Sequence, residues 1–342
     1  MLSQLAQRAA GRVFMRRYVH GGRYAVYDRT RADRQRTLAA DRRTGFDWTL
    51  FQLMLSDEAR LAAYRRDIAA VVAGKRVLEV GPGPEAVLAR MCLAAGAASV
   101  LSVEGDPWVA EAASRRMRAV APGAPWRLLS TMSTELTVDD VGHRDVDVLV
   151  LEVYDSIAGM EHVVETVADL RARGFTFGSV ISRGFQTLVA PARRPAPESM
   201  SGVERLALGW PVRAAAAGRR AATSPATLHG RPDQVLGHEL AQRQPWQSCD
   251  LESGLPCRTE PELRFSVPDL ARVDGVLFSN RFLFHTGELD TAATPTHWGV
   301  YFQPLPLEGP ATGPGVVTVS TDVPDPGQPS RWTLRATSVA GR

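Results

Sequence analysis

The sequence predicts an α/β + β protein: N-terminal helices, a Rossmann-like domain built on a parallel sheet, then a β-barrel domain. Three observations predict it. Short β-branched runs alternate with helical stretches in the middle of the chain. A glycine turn follows the first of those runs. Strand-like runs punctuated by proline and glycine then replace the helices. Alternation of the first kind gives βαβ units with right-handed crossovers, and regularly spaced short strands give a barrel or sandwich.

Residues 1–72 read as an N-terminal helical segment, in which Leu50, Leu53, Met54, Ala59, Leu61 and Tyr64 recur at helical spacing. Residues 73–183 read as the Rossmann-like domain. Its strand candidates are Arg76–Val80, Ser99–Val103 and Val146–Glu152, separated by helical stretches at Glu85–Ala97 and Trp108–Val120. Residues 184–342 read as the barrel, with strand candidates at Gln186–Ala190, Gly275–Phe278, Trp298–Phe302, Val316–Ser320 and Trp332–Arg335. Within it, residues 212–232 are rich in Ala, Arg, Gly and Pro, as in a projecting arm or a long loop.

Composition excludes several classes. A net charge of +3 over 342 residues is too small for a general nucleic-acid binder. Nearly all basic charge is arginine; Lys75 is the only lysine. No apolar run is long enough to span a bilayer. Cys92, Cys249 and Cys257 form no C-x-x-C pair and no zinc-ligand spacing, so neither a metal nor a disulfide framework is expected, and a reducing cytoplasm is the default. Met1 to Tyr27 holds Arg8, Arg12, Arg16, Arg17 and Arg23 with no acidic residue. That stretch reads either as a targeting segment or as a basic amphipathic helix packed on the protein.

The chemistry-bearing signal begins at Val77-Leu78-Glu79-Val80-Gly81-Pro82-Gly83-Pro84. A buried strand runs into a turn where Gly81 and Gly83 let the backbone approach a ligand. The third glycine of the dinucleotide fingerprint is missing, and Glu85 disfavours a pyrophosphate there. The next strand ends at Glu104, about 20 residues on, where a carboxylate can accept hydrogen bonds from ribose hydroxyls. Glu79-Val80-Gly81-Pro82-Gly83 followed by Glu104 resembles the first motif and its successor in class I S-adenosylmethionine-dependent methyltransferases. The resemblance implies a seven-stranded Rossmann-like fold and S-adenosylmethionine as cofactor, with S-adenosylhomocysteine as product. It places the loop around the methionine part, Glu104 on the ribose, and Glu79 near the methionine or under the loop.

Three further segments, in order, resemble the protein arginine methyltransferases. Met54-Leu55-Ser56-Asp57-Glu58-Ala59-Arg60, with Tyr64 following, is similar to the family's helix before the glycine motif. The resemblance implies that Arg60 pairs with the cofactor carboxylate, a contact suited to a planar guanidinium. Leu151-Glu152-Val153-Tyr154-Asp155-Ser156-Ile157-Ala158-Gly159-Met160-Glu161 is similar to the family's loop with two glutamates, matched here by Glu152 and Glu161. Two carboxylates converging on a guanidinium orient it and draw positive charge away from the nitrogen under attack. Thr296-His297-Trp298 resembles the family's Thr-His-Trp loop. It implies that His297 meets Asp57 across the domain interface and accepts or relays the released proton.

The sequence also departs from that pattern. Arg42 to Gly45 stand where an aromatic Tyr-Phe-x-x-Tyr signature is expected, with Phe46 and Trp48 nearby. Phe51 replaces a histidine, and Val153-Tyr154-Asp155-Ser156 replaces Trp-Met-Gly-Tyr. Glu135, the candidate for holding the adenine amino group, is one step out of register, where Thr134 falls. Most of these changes surround the acceptor. The leading expectation is N-methylation of a guanidino group on a protein, peptide or small molecule. The alternative is an amine or hydroxyl of a secondary metabolite, and a third reading is a non-catalytic scaffold. The family's ring-like homodimers are built through an arm, for which residues 200–235 are the candidate.

Overall fold

The computed structural model describes residues 25–28, 51, 54–194, 225–309, 312–322 and 333–340. Its first well-packed element is α1, Glu58–Val71. Asp57 caps it by accepting the Arg60 backbone N–H at 2.9 Å, an interaction worth about 1 kcal/mol at such a position. Ala63, Tyr64, Asp67 and Ile68 form its buried face. The helix closes at Val72, and Gly74, at φ +71°, turns the chain into the sheet.

The sheet of the Rossmann-like domain is parallel, as expected. It contains β2 (Arg76–Val80), β3 (Ser99–Val103), β4 (Trp126–Leu129), β5 (Asp145–Leu151) and β6 (Thr176–Ile181), in spatial order β4-β3-β2-β5-β6. Helices α2 (Val87–Ala94), α3 (Pro107–Val120), α4 (Val138–Val141) and α5 (Val163–Ala172) lie between the strands in sequence. The strands are nearly continuous apolar runs because a parallel sheet is covered on both faces. Five described strands make this sheet, against seven implied by the resemblance. After Ile181 the chain passes through Arg183 to Gly184 and enters the antiparallel sheet instead of returning.

The strand order reverses between β2 and β5. The chain runs from β2 outward to β3 and β4, then crosses back to β5 on the other side of β2. Such a switch point opens a crevice at the carboxyl ends of the two central strands. Val80 and Leu151 are paired there, so Gly81 and Glu152 begin side by side at the crevice.

The second domain is two sheets packed face to face, antiparallel except at one edge pair, where Leu307–Glu308 runs parallel to Thr333–Ala340. One holds, in spatial order, β1 (Ala25–Asp28), β8 (Ala226–His229), β14 (Val300–Pro304), β12 (Gly275–Phe284), β7 (Gly184–Ala192), β9 (Gln244–Asp250) and β10 (Arg258–Thr259), with β13 (Gly287–Asp290) added on β12. The other holds β11 (Glu262–Val267), β16 (Gly315–Asp322), β17 (Thr333–Ala340) and β15 (Leu307–Glu308). The central strands are β7 (Gly184–Ala192), β12 (Gly275–Phe284) and β14 (Val300–Pro304). Val189, Trp246, Phe278 and Tyr301 of one sheet meet Phe265, Val317 and Val319 of the other in a shared core. A separate core runs across the two domains: Tyr64, Leu151 and Tyr154 pack with Phe185, Phe282, Phe284 and Trp298. The crevice therefore lies beside a seam made rigid by apolar packing.

Two expectations are corrected. The N-terminal segment is not wholly helical. Ala25–Asp28 is the strand β1, paired antiparallel with β8, Ala226–His229. Ala-Val-Tyr-Asp carries a β-branched and an aromatic residue suited to an edge strand. The absence of a disulfide is also overturned, since Cys249 and Cys257 are bonded with Cα atoms 4.5 Å apart. β9 (Gln244–Asp250) and β10 (Arg258–Thr259) pair with Ser248 opposite Arg258, which puts positions 249 and 257 opposite each other at the next step. Linear spacing between cysteines does not reveal that register. The arm candidate at 200–235 lies outside the described residues up to 224. Its end forms β8 and the short helix α6, Pro232–Leu236. No helix among the described residues is long and apolar enough to cross a membrane.

Candidate active site

Four of the expected site residues converge from three elements. Asp57 and Arg60 come from the start of α1, Glu152 from the end of β5, and His297 from the loop before β14. The Arg60 guanidinium pairs with Glu152, Nη1 to Oε2, at 2.9 Å, and Nη2 donates to the Met54 carbonyl at 2.7 Å. Asp57 uses both oxygens. Oδ1 caps the helix, and Oδ2 accepts from the His297 backbone N–H and ring Nδ1, each at 2.8 Å. All four side chains are less than one-tenth exposed.

Charges removed from water need partners. Burial pushes the Asp57 carboxyl up, but the hydrogen bond and charge of His297, with the N–H groups of Arg60 and His297, outweigh it and hold the group below its ordinary value. For Glu152 the balance reverses. Burial raises its carboxyl beyond what Arg60 and His297 return, and the nearby Asp57 charge adds to the rise.

Two buried polar atoms in this cluster have no hydrogen-bond partner among the described residues: Arg60 Nε, a donor, and Glu152 Oε1, an acceptor. A buried donor or acceptor left unsatisfied costs about 1–3 kcal/mol. Such atoms side by side at a switch-point crevice mark a place that takes a polar ligand.

The glycine turn lies next to this cluster. Gly81 and Gly83 have φ +72° and +62°, which side-chain-bearing residues adopt only with strain. A Cβ at Gly83 would lie 2.7 Å from the Phe51 ring, so that turn is closely covered. Glu104 lies near the turn, its carboxylate accepting from the Asp106 N–H at 3.1 Å, and the neighbouring Gly83 and Gly105 N–H groups favour its charged form. Burial nevertheless raises its carboxyl.

The remaining expected residues are placed differently. Glu79 is fully inside the fold. One oxygen accepts from the Ala89 N–H at 2.9 Å, the other from the Ser102 hydroxyl at 2.5 Å, and burial pushes it up to about 7. It fastens α2 behind the glycine turn. Glu135 is exposed and accepts from Thr131 and the Met132 N–H, closing a single turn at Ser133–Glu135. Glu161 is exposed at the end of the turn Ala158–Glu161. Tyr154, in the altered loop, turns into the seam, where its hydroxyl meets Ser182 at 2.7 Å. Met132, which the sequence did not single out, lies against Gly105, where an added Cβ would come 2.3 Å from its sulfur. No sequence signal distinguishes it from other exposed methionines.

No protein-family model and no curated protein matches the chain. Solved structures do. The chain is similar to PRMT1 of Trypanosoma brucei in an enzyme–prozyme heterotetrameric complex with AdoHcy, at 17% identity over 84% of this chain and 96% of that one, with TM-score 0.58. It is similar to PRMT6 in complex with SAH, at 17% identity over 86% and 100% with TM-score 0.58. It is also similar to protein arginine methyltransferase 10 of Arabidopsis thaliana, at 15% identity over 83% and 96% with TM-score 0.59. At these identities the likeness is one of fold, and it spans both domains.

Proposed function

We propose that this protein is an S-adenosylmethionine-dependent N-methyltransferase acting on a guanidino group of a protein, peptide or small molecule. One observation carries the reading: the buried cluster of Asp57, Arg60, Glu152 and His297, with Arg60 Nε and Glu152 Oε1 unpartnered among the described residues. The fold it shares with AdoHcy-bound arginine methyltransferase structures supports the reading.

The residues present fit that cofactor. Arg60 offers a buried donor to a carboxylate, Gly81 and Gly83 clear the backbone around the amino-acid part, and Glu104 offers ribose hydroxyls an acceptor. Glu79 supports the turn, and Met132 with Glu135 flanks the adenine end. When bound, the cofactor supplies a sulfonium methyl to a nitrogen nucleophile. Glu152, with Glu161 from the far end of its loop, orients the protonated acceptor through charge-assisted hydrogen bonds. His297 takes the proton released from the methylated nitrogen, and Asp57 holds its ring and stabilises the imidazolium. Its Nε2 has no hydrogen-bond partner among the described residues, which leaves it open to that proton.

A second reading is methylation of a non-guanidino amine or hydroxyl. The exposed position of Glu161 and the inward turn of Tyr154 favour it, because the acceptor side of the site then rests on Glu152. We extend the proposal to a homodimer, in line with the oligomeric relative from T. brucei. Sedimentation at two concentrations tests it, and a monomer at both removes it.

The deciding experiment is calorimetric titration of S-adenosylhomocysteine into wild type and Glu104→Ala, followed by mass spectrometry of guanidino and amino probe compounds. Removing a hydrogen bond to a charged group costs about 1.5–3 kcal/mol, so Glu104→Ala should bind roughly 10- to 100-fold more weakly. Unchanged affinity takes Glu104 off the ribose. No binding to the folded wild type ends the methyltransferase reading.

A further inference from the structure

The loop between Glu152 and Glu161 is held by a residue from the other domain. Asn280 lies on β12 with no exposed surface, on the strand face that also carries Phe278 and Phe282. A side-chain amide has two N–H donors and two acceptor lone pairs. Asn280 uses all four. Nδ2 donates to the carbonyls of Asp155 and Ser156, each at 3.1 Å. Oδ1 accepts from the Ala158 N–H and the Thr187 hydroxyl, each at 3.1 Å. The backbone of Asn280 is itself tied to Thr291 in both directions, at 3.0 and 2.8 Å.

Three of those four bonds go to the backbone of residues 155–158, midway between the two glutamates. The neighbouring Tyr154 carbonyl accepts from Trp298 Nε1 at 2.9 Å, and the Ser156 hydroxyl donates to the Trp298 carbonyl at 2.7 Å. Asn280 and Trp298, both from the barrel, thus satisfy successive carbonyls of an irregular buried segment. Such a segment has no ladder of its own, and each unpaired group would be costly. Leucine at 280 would orphan two carbonyls and one N–H. Aspartate would offer the two carbonyls no donor.

We propose that Asn280 is a positioning residue for methyl transfer. It sets the path of residues 154–158, and through it the places of Glu152 and Glu161 relative to His297. The proposal rests on the reading of those glutamates as acceptor-orienting groups. It assigns their alignment to a barrel side chain that touches neither cofactor nor acceptor.

The test compares wild type, Asn280→Ala and Thr187→Val in three measurements. These are hydrogen exchange resolved over residues 154–161, calorimetric titration with S-adenosylhomocysteine, and steady-state methylation of an arginine-containing peptide. Asn280→Ala should speed exchange in that segment by about tenfold or more, the effect of losing buried hydrogen bonds. Cofactor-product affinity should stay within about twofold, while kcat falls roughly 100-fold with a smaller change in KM, the signature of misplacement by about an ångström. Thr187→Val keeps the bonds to the loop and should behave as wild type. Unchanged exchange in Asn280→Ala, or equal damage from Thr187→Val, overturns the proposal. If Asn280→Ala does not fold, the Ala158 amide of wild type decides: protection supports the assignment, and exchange at the free-peptide rate refutes it. If wild type methylates no guanidino probe, the proposed reaction fails, and the exchange comparison still judges Asn280.

Discussion

Helix α1 carries two aspartate–histidine pairs, one at each domain contact, and they are built alike. Asp57 and Asp67 are both fully buried. Each accepts an imidazole Nδ1 from the barrel, His297 at 2.8 Å and His285 at 2.9 Å, together with a backbone N–H from His297 or Thr286. They differ in what surrounds the histidine. His285 Nε2 meets Glu252 Oε1 at 2.9 Å, so the ring lies between two carboxylates. Only an imidazolium can donate from both nitrogens, and the hydrogen bonds to both carboxylates raise the ring's pKa above its ordinary value. His297 is engaged through one nitrogen, beside Arg60 Nε and Glu152 Oε1, two buried atoms without partners among the described residues. Identical residue types therefore give a saturated brace in one place and, in the other, an unsaturated cluster, the proposed reaction centre. What a pair can do is set by the hydrogen-bonding capacity left over.

The largest effect should come from the unsaturated side. Glu152→Gln preserves shape but removes the charge opposite Arg60 and the acceptor. Loss of one electrostatic group aimed at a reacting centre costs about 10²–10³ in kcat. S-adenosylhomocysteine affinity should move far less. Rate and affinity lost in equal measure would count against Glu152 as the acceptor-orienting group. No loss of rate would move the reaction centre elsewhere.

Much of this contrast was legible before the structure, and what was missing has a physical pattern. Strands Arg76–Val80 and Ser99–Val103 match the sequence reading because short β-branched, apolar-rich runs bounded by glycine, lysine or acidic residues mark their own ends. The Asp57, Arg60, Glu152 and His297 cluster was readable because each residue sits in a contiguous motif. His285 was not, since its partners Asp67 and Glu252 are distant in sequence and lie in no motif. The Cys249–Cys257 bond depends on a two-residue strand, Arg258–Thr259, too short to show alternation. Asn280 left no trace, since it stands between Ser279 and Arg281, and its loop partners are backbone atoms that carry no sequence signal.

The two histidines give the direct test of brace against centre. His297→Ala should lower kcat by about 10²-fold, as for loss of a general base, and should also cost about 1–3 kcal/mol of stability, because it strips a donor from the buried Asp57. His285→Ala should leave kcat near wild type and cost about 1–3 kcal/mol of stability, because it strips a hydrogen-bond donor from the buried Asp67. Reversed outcomes would exchange the two assignments. The brace also carries a pH signature. Burial lowers the His285 pKa, but the hydrogen bonds to Asp67 and Glu252 more than reverse this and raise it above its ordinary 6.5. A raised histidine stabilises the fold fully below its unfolded value and loses that contribution as pH rises through the folded value. Unfolding free energy should therefore fall as pH rises above 6.5, and His285→Gln should remove part of that slope. The slope that remains belongs to carboxylates such as Glu79 and Glu239, which burial pushes up to about 7. An undiminished slope in His285→Gln would sink the assignment of that proton.

The disulfide acts on the brace from outside, and its loss should fall on stability and hardly on rate. Residues 250–256 lie inside the loop closed by Cys249 and Cys257, and within it Glu252 reaches three partners. Its carboxylate accepts from His285 and from the Val180 N–H at 3.1 Å, and its carbonyl accepts from Arg171 at 2.7 Å. Leu251 is buried in the core that runs across the two domains. Closing so short a loop removes about 2–3 kcal/mol of unfolded-state freedom on the chain-entropy account. Cys249→Ser should therefore lower stability by no more than that. It should also reduce the share of the pH slope assigned to His285, because Glu252 is then less firmly held. Since α1 stays pinned through Asp57 at its other end, kcat should remain within about twofold, in keeping with a site whose first contacts are untouched. A large loss of kcat in Cys249→Ser would show that the brace and the reaction centre are coupled through α1, and the division between the two pairs would have to be given up.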